Sequence, residues 1–461
     1  MFGTSGVRGR VGVDVTAETA LAIGRAVGTD GASRIVVGRD TRESGRMLLD
    51  AVAAGAAECG ATVIDLGVVS TPTVARSVGW ERADAGIVVT ASHNPPADNG
   101  IKLWTPGGQA FDDRRRTDVE RAIDAGAYAL ADWEEVGGRR DGRDRALRRH
   151  RDRLLAAIDV AQDNESSTDG ASEPPAVVVD IGNGTGRITA DVLHDAGCSV
   201  ETLNAQPDGR FPGRESEPTA ESCSSLRSLV ATGADVGIAH DGDADRTLAV
   251  DDRGRFVPGD ALLALFGREA ARAGDVVVAP VNTSLAVDEA LAEVGAELVR
   301  TRVGDVHVAE RATAENAVFG GEPSGAWIWP AETLCPDGPF AACKLVDLVA
   351  NRGPLSTLVD DLPAYPIRRD AVRVDAGTAG SATAGGSRSA TRIVSEVAGR
   401  LSDRYGEVST LDGVRAETDD GWILVRASGT QPLIRLTAEG RTDANADRLL
   451  ETARELVGEA L

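Results

Sequence analysis

Lysine is almost missing from this 461-residue chain, where all but two of the 49 basic residues, Lys102 and Lys344, are arginine. Aromatic residues make up only 3%, so Ala, Val, Leu and Ile must fill the interior, a composition suited to buried parallel strands covered by helices. Basic charge is also in deficit. The 72 acidic residues give a formal net charge of -23, which excludes a nucleic-acid partner, because phosphate backbones are held by basic surfaces that release counterions. The acidic excess reads as adaptation to a salty interior: at about 1 M salt the Debye length is about 3 Å, so self-repulsion is screened while carboxylates keep the surface hydrated. An acidic mesophile with a GC-rich genome is the other reading. Cys59, Cys198, Cys223, Cys335 and Cys343 form no CxxC pair and no metal-ligand spacing, as expected of reduced thiols in a cytoplasmic protein. The opening MFGTSGVRGR lacks a signal-peptide core, and no apolar stretch of about 18 residues exists to span a bilayer, so neither secretion nor membrane insertion is expected.

What is present is an alternation. Apolar runs at 35–37, 63–66, 86–89, 177–181, 276–279 and 298–300 each end in a small polar residue, with Ala- and Leu-rich helical stretches between them. The pattern predicts βαβ units around mostly parallel sheets, whose ligands bind beyond the carboxyl ends of the strands. From about Tyr365 the order becomes β-β-α, with strands at 421–426 and 433–438 and a helix at 445–456, which predicts an antiparallel sheet covered by helices. The length is too great for one core and suits three or four domains. Segments 162–175 and 375–389 are small, polar and aperiodic and are expected to be flexible; the charged segment 139–153 is expected to end the first domain and start a helix into the next.

Four loops carry candidate chemistry. In Gly86-Ile-Val-Val-Thr-Ala-Ser-His-Asn-Pro95 a buried-looking strand runs into a polar turn, and Ser92 at its tip is either a phosphoryl acceptor or a turn-capping serine. In Asp241-Gly-Asp-Ala-Asp-Arg246, three carboxylates at alternate positions can converge on one hard cation, Mg²⁺ or Ca²⁺, unless the loop is a plain acidic turn. An EF-hand is excluded by Arg246 and Asp252 where that loop needs Gly and Glu. Phe319-Gly-Gly-Glu-Pro-Ser-Gly325 sets Glu322 and Ser324 on a tight turn, where they suit sugar hydroxyls or simply close the turn. Arg426-Ala-Ser-Gly-Thr-Gln-Pro-Leu-Ile-Arg435 puts Ser428, Gly429 and Thr430 between two arginines, a phosphate cradle or a β-turn.

In this order, and beginning from Phe2-Gly-Thr-Ser-Gly-Val-Arg-Gly9, the loops resemble the α-D-phosphohexomutase family over nearly the whole chain. The resemblance implies four domains in a heart-shaped arrangement about a cleft: three mixed-sheet α/β domains (1–148, 149–252 and 253–362) and an α+β domain with an antiparallel sheet (363–461). It implies that Ser92 is phosphorylated and that Asp241, Asp243 and Asp245, with the serine phosphate, hold one Mg²⁺. Glu322 and Ser324 then bind the sugar; Arg426, Ser428, Gly429, Thr430 and Arg435 bind phosphate; Thr4, Ser5, Arg8 and His93 border the cleft. Lys102 is a candidate general acid/base with Arg246 beside it, since an ammonium can shed a proton and a guanidinium cannot.

Two departures stand out. Ala326 and Trp327 follow Gly325 where many relatives have histidine, leaving His307 and His240 as substitutes, and the phosphate loop has Ala427 and Gln431 where proline and glutamate are common. Asp98-Asn-Gly-Ile-Lys102 and Val303-Gly-Asp305 are similar to the phosphoglucosamine mutase branch. The expected reaction is therefore interconversion of glucosamine 6-phosphate and glucosamine 1-phosphate, with a sugar bisphosphate as activator. Phosphomannomutase or phosphoglucomutase activity is the alternative, and a silent sugar-phosphate-binding protein a more distant one. A hexose phosphate is the expected partner, for a monomer or a homodimer.

Overall fold

The computed structural model describes residue 3 and residues 6–158, 174–374, 385–428 and 433–461, the side chains of 385–389 excepted. Four sheets follow one another along the chain. The first has six strands in the order Val7–Arg10, Asp98–Trp104, Ala85–Val89, Arg34–Arg39, Thr62–Val68, Arg139–Asp141. Its centre is parallel, while Asp98–Trp104 and Val7–Arg10 run antiparallel at one edge. The second orders Phe256–Val257, Thr247–Asp251, Val236–His240, Ala176–Asp180 and Ser199–Leu203. The third orders Glu297–Thr301, Val276–Pro280, Ala317–Glu322 and Ala326–Ile328. In all three the central strands are buried on both faces, which is why they read as unbroken apolar runs instead of alternating ones.

The fourth sheet is antiparallel throughout, in the order Ile367–Arg373, Leu433–Gly440, Gly421–Ala427, Val414–Thr418, Val408–Ser409. Its core is built with the helices Gly385–Tyr405 and Asp443–Ala460. The expected classes, three mixed α/β domains and one antiparallel α+β domain, are thus present.

One hydrophobic core runs through the second and third domains from Leu154 to Leu362, and it gathers Phe266, Phe319, Trp327 and Phe340. Burying a side chain of that size contributes roughly 1.5–3 kcal/mol, so these two domains hold each other strongly. The fourth domain has its own core, and its apolar contact with the third is the small cluster Val281, Trp422 and Leu424, with Leu285 and Val303 packed against it.

Several expected boundaries move. A break after 148 falls inside the helix Arg143–Leu155, and the charged segment first adds the strand Arg139–Asp141 to the first sheet. A break after 252 falls in the turn between Thr247–Asp251 and Phe256–Val257, which pair, so the second sheet continues to Val257; a two-residue strand is too short for periodicity to reveal. Residues 385–389, expected to be flexible, open a helix because Ala390, Ile393, Val394, Val397 and Leu401 beyond them give it a buried stripe. The rest of 375–389, and all of 162–175 except Pro174 and Pro175, lie outside the described residues. Among the described residues no helix is long and apolar enough to cross a membrane.

Candidate active site

The strand Ala85–Val89 delivers the chain to a loop that holds Ser92 in the left-handed region, at φ 52. A non-glycine residue there costs about 1–3 kcal/mol, so the surroundings must impose it. Arg42, fully buried, does most of this: its guanidinium donates to the carbonyls of Ser92 (2.9 Å), Asn94 (2.6 Å), Pro95 (2.5 Å) and Asp98 (3.0 Å), and Asp40 pairs with it at 3.0 Å. Thr90 Oγ1 accepts the Ser92 N–H at 2.8 Å, and Ser216, from the second domain, donates to the Ser92 carbonyl at 2.8 Å.

That serine faces the acidic loop, which joins the paired strands Val236–His240 and Thr247–Asp251. The carboxylates of Asp241, Asp243 and Asp245 are buried, with one oxygen from each lying within 4.8 Å of the others. Ser92 Oγ donates to Asp241 Oδ2 at 2.5 Å and lies 3.5 Å from Asp245 Oδ1. Lys102, on the strand Asp98–Trp104, donates to Asp243 Oδ2 at 3.0 Å and Asp245 Oδ2 at 2.6 Å, and Thr71 Oγ1 donates to Asp243 Oδ2 at 2.6 Å. Both clamps fall on one oxygen of Asp243. Its Oδ1 is buried without a partner. Burial and then the neighbouring carboxylates raise the pKa of Asp241 and Asp245, whereas at Asp243 the effect of burial is outweighed by Lys102 and Thr71 and the pKa falls. Buried negative charge in excess and one orphaned oxygen fit a small divalent cation bound through oxygen. Burial pulls the Lys102 ammonium down, but Asp243 and Asp245 together outweigh it and hold Lys102 above the ordinary lysine range. In this arrangement Lys102 is a charged partner of the acidic loop, not a free amine that can take a proton.

The third loop is bonded to the second. Arg246 bridges Ala326, Thr247 N–H donates to the Gly325 carbonyl at 2.9 Å, and the Trp327 indole donates to the Thr247 carbonyl at 2.8 Å. Gly325, at φ 99, supplies the turn that lets Glu322 pair with Ala326. Glu322 Oε1 accepts the Gly304 N–H at 2.7 Å and Ser324 Oγ donates to Oε2 at 3.4 Å; burial first, and then the Asp305 charge, push its pKa up to about 7. Trp327 is thus a bolt between domains. His240 does not replace the missing histidine: it is fully buried, with Nδ1 2.8 Å from the Arg246 carbonyl and Nε2 2.8 Å from Thr189 Oγ1. His307 Nδ1 lies 3.3 Å from Arg302.

The remaining predicted residues divide. Arg8 donates to Asn94 Oδ1 at 3.1 Å, and burial, followed by the charges of Arg246, Arg8 and Lys102, holds His93 neutral with a pKa down to about 2. Arg426 and Arg435 are directly opposed on neighbouring strands of the fourth sheet. They line a cavity of about 430 Å³ together with Arg369 and with Asn282 from the third domain. Arg426 Nε lies 3.0 Å from Asp412 Oδ2, an ion-pair distance out of line for a hydrogen bond. Ser428 N–H donates to the Leu433 carbonyl at 2.8 Å. Thr4, Ser5, Gly429 and Thr430 lie outside the described residues.

Sequence families cover the same four units: phosphoglucomutase/phosphomannomutase alpha/beta/alpha domain I matches residues 1–129, domain II 152–254, domain III 258–365, and the C-terminal domain 385–456. The "Probable phosphoglucosamine mutase" of Methanococcoides burtonii is 42% identical over 463 residues, covering 100% of this chain and 99% of that one. The protein of the same name from Methanopyrus kandleri is 44% identical, covering 99% and 97%. A crystal structure of a phosphoglucomutase/phosphomannomutase family protein from Burkholderia thailandensis superposes with a TM-score of 0.85 at 26% identity, covering 100% and 98%. The chain belongs to the phosphohexomutase family.

As a phosphohexomutase it is an isomerase working by intramolecular phosphotransfer. Sequence reasoning missed three residues that shape this phosphohexomutase site: Arg42, Thr71 and Ser216. Arg42 and Thr71 were open to the rule that found Ser92, since Arg42 lies in the turn after the strand Arg34–Arg39 and Thr71 opens the helix just beyond the strand Thr62–Val68. Ser216 had no such signal.

Proposed function

We propose that the enzyme interconverts glucosamine 6-phosphate and glucosamine 1-phosphate through a phosphorylated Ser92 and a sugar bisphosphate. The observation that carries this reading is Ser92 Oγ at 2.5 Å from a buried three-carboxylate loop, and the two archaeal relatives support the substrate. Asp241, Asp243 and Asp245 would hold a magnesium ion, which when bound offsets negative charge on the phosphoryl group. The hydroxyl oxygen of the bound sugar attacks the phosphorus carried by Ser92, and the P–Oγ bond breaks as the new P–O bond forms. Lys102, held charged, protonates the departing Ser92 oxygen, and the proton of the sugar hydroxyl restores it. The bisphosphate then turns around, and Ser92 Oγ attacks its other phosphorus: the P–O bond to the sugar breaks as the P–Oγ bond forms, Lys102 protonates the departing sugar oxygen and is restored by the serine proton, and the isomer leaves. Glu322 and Ser324 hold sugar hydroxyls in both orientations, while Arg426 and Arg435, with Ser428, Gly429 and Thr430, grip the phosphate that is not reacting. Thr4, Ser5, Arg8 and His93 border the cleft, and a bisphosphate from solution acts as activator by loading the serine. The free thiols support a reducing, cytoplasmic setting.

Intact mass of the purified protein should show a fraction carrying one phosphate, absent in Ser92→Ala. A coupled assay should favour glucosamine phosphate over glucose and mannose phosphates. Preference for either of the latter would move the assignment to a phosphoglucomutase or phosphomannomutase, and release of inorganic phosphate without isomerisation would overturn it.

A further inference from the structure

The charged segment read from the sequence is not used by the site just described. In the helix Arg143–Leu155 six arginines stand against two aspartates, in a chain whose net charge is -23. Four of the six are engaged: Arg145 pairs with Glu81 and Arg151 with Asp195, each at 2.6 Å, Arg153 with Glu332 at 2.6 Å, and Arg149 donates to the Trp80 carbonyl at 2.9 Å. Arg143 and Arg148 are exposed, and neither guanidinium has a hydrogen-bond or ion-pair partner among the described residues. Both line a cavity of about 260 Å³ between the first and second domains, with Arg151 and, from the opposite wall, the pair Arg187 and Asp191, which lie 3.5 Å apart. Its apolar lining comes from Val69, Leu147 and Ile188; Ser70 and Thr73, also on its wall, are buried with their hydroxyls 2.7 Å apart.

We propose that this groove binds a small organic phosphate monoester as an effector. Two uncommitted guanidiniums match the oxygens of a phosphate dianion, because each presents paired N–H donors in a fixed fork. The apolar lining suits the organic part, and the volume is just below the usual range of about 300–1,000 Å³ for small-molecule sites, the scale of a sugar phosphate or mononucleotide. A long polyanion is excluded: the strongly acidic remainder of the surface repels it, whereas a compact ligand meets only the local field.

The groove also has a physical route to the catalytic loop. One wall ends in Thr71, whose N–H donates to the Asp243 carbonyl at 2.9 Å, and the other ends in Thr185, whose N–H donates to the Gly242 carbonyl at 3.1 Å. Gly184 packs so closely there that a Cβ would lie 2.5 Å from the Gly242 carbonyl oxygen. A ligand that draws the two walls together therefore moves the backbone of the acidic loop between them, and with it the carboxylates that would hold magnesium.

The test uses adenosine 5′-monophosphate as the probe, with adenosine and inorganic phosphate beside it, by calorimetry on the full chain without sugar. The expected result is that the monophosphate binds at least about tenfold more tightly than either comparator, since both halves of the groove contribute. Arg143→Ser/Arg148→Ser should abolish that binding while leaving basal activity and melting temperature unchanged; Arg148→Gln, a milder change, should weaken it. Magnesium affinity, also read by calorimetry, should shift with the monophosphate in the wild type and not in the double variant. No detectable binding, binding that survives the double substitution because the probe sits in the catalytic cleft, or binding no tighter than that of inorganic phosphate would each overturn the site. Unchanged magnesium affinity would overturn the coupling. The binding readouts that decide the site require no turnover, so failure here and failure of the mutase reading are separate results.

Discussion

The serine, acidic and sugar loops come from three domains, yet they are joined by direct bonds: Ser92 to Asp241, Thr71 to Asp243, Thr247 to Gly325 and Trp327 to Thr247. The phosphate loop is different. Its domain meets the third through the small apolar patch, through Glu439, which accepts from Ser284 Oγ, the Leu285 N–H and its own domain's Trp422 indole, through Arg415, which donates to the Val281 and Thr283 carbonyls, and through Asp412, which accepts the Val303 N–H at 2.9 Å. One region is knit so that the reacting groups keep their places; the other grips from a module held at a few points. That division suits a reaction in which phosphoryl transfer needs fixed geometry while a bisphosphate has to turn around.

The contrast can be broken from either side. Replacing Ser92 by Ala should lower mutase activity at least about a thousandfold by removing the phosphoryl carrier, as read in the coupled assay. Thr71→Val removes a support of a candidate metal ligand and should weaken magnesium binding about 10- to 100-fold in a calorimetric titration, with Thr71→Ser restoring most of it. On the fourth domain, Glu439→Gln weakens the acceptor that three donors share and should cost about 1–3 kcal/mol of stability. Hydrogen exchange should rise around Trp422 and Ser284 and leave the Ser92 loop unchanged. If the Ser92 loop loosens equally, the two regions are not separable.

Acidity sharpens the same comparison. The folded-state pKa of Glu322 is raised from 4.5 to about 7 by burial, so the native chain binds its proton more tightly than the unfolded chain does. Glu322 therefore contributes stability at low pH that is lost as pH rises from 4.5 through about 7. Since the carboxylate is the form that accepts from sugar hydroxyls, kcat/KM should rise over that upper limb, and Glu322→Gln should flatten it. The smallest expected effect concerns salt: the acidic surface predicts lower stability after dialysis into dilute buffer, and an unchanged melting temperature would contradict the salt-adapted reading.

What could be read from the sequence follows from the range of each interaction. The strands before Ser92 and Asp241 are unbroken apolar runs, and the chemistry sits in the few residues after them, so local pattern was enough. Arg42, Thr71 and Ser216 act on residues 50, 172 and 124 positions away, and no spacing encodes such a contact before the chain is folded. Lys102 was visible as a rare lysine, but only its two carboxylate partners show that it is held charged. His240 stands in the sequence as a substitute for the missing histidine, and only the folded chain shows both its ring nitrogens engaged.

The account depends on one cation held by three aspartates against Ser92. A crystal soaked in manganese, read by anomalous scattering, tests it directly. The account predicts a single strong peak bound by Asp241, Asp243 and Asp245 and facing Ser92 Oγ; a peak elsewhere, or none at that loop with the protein fully active, would contradict it.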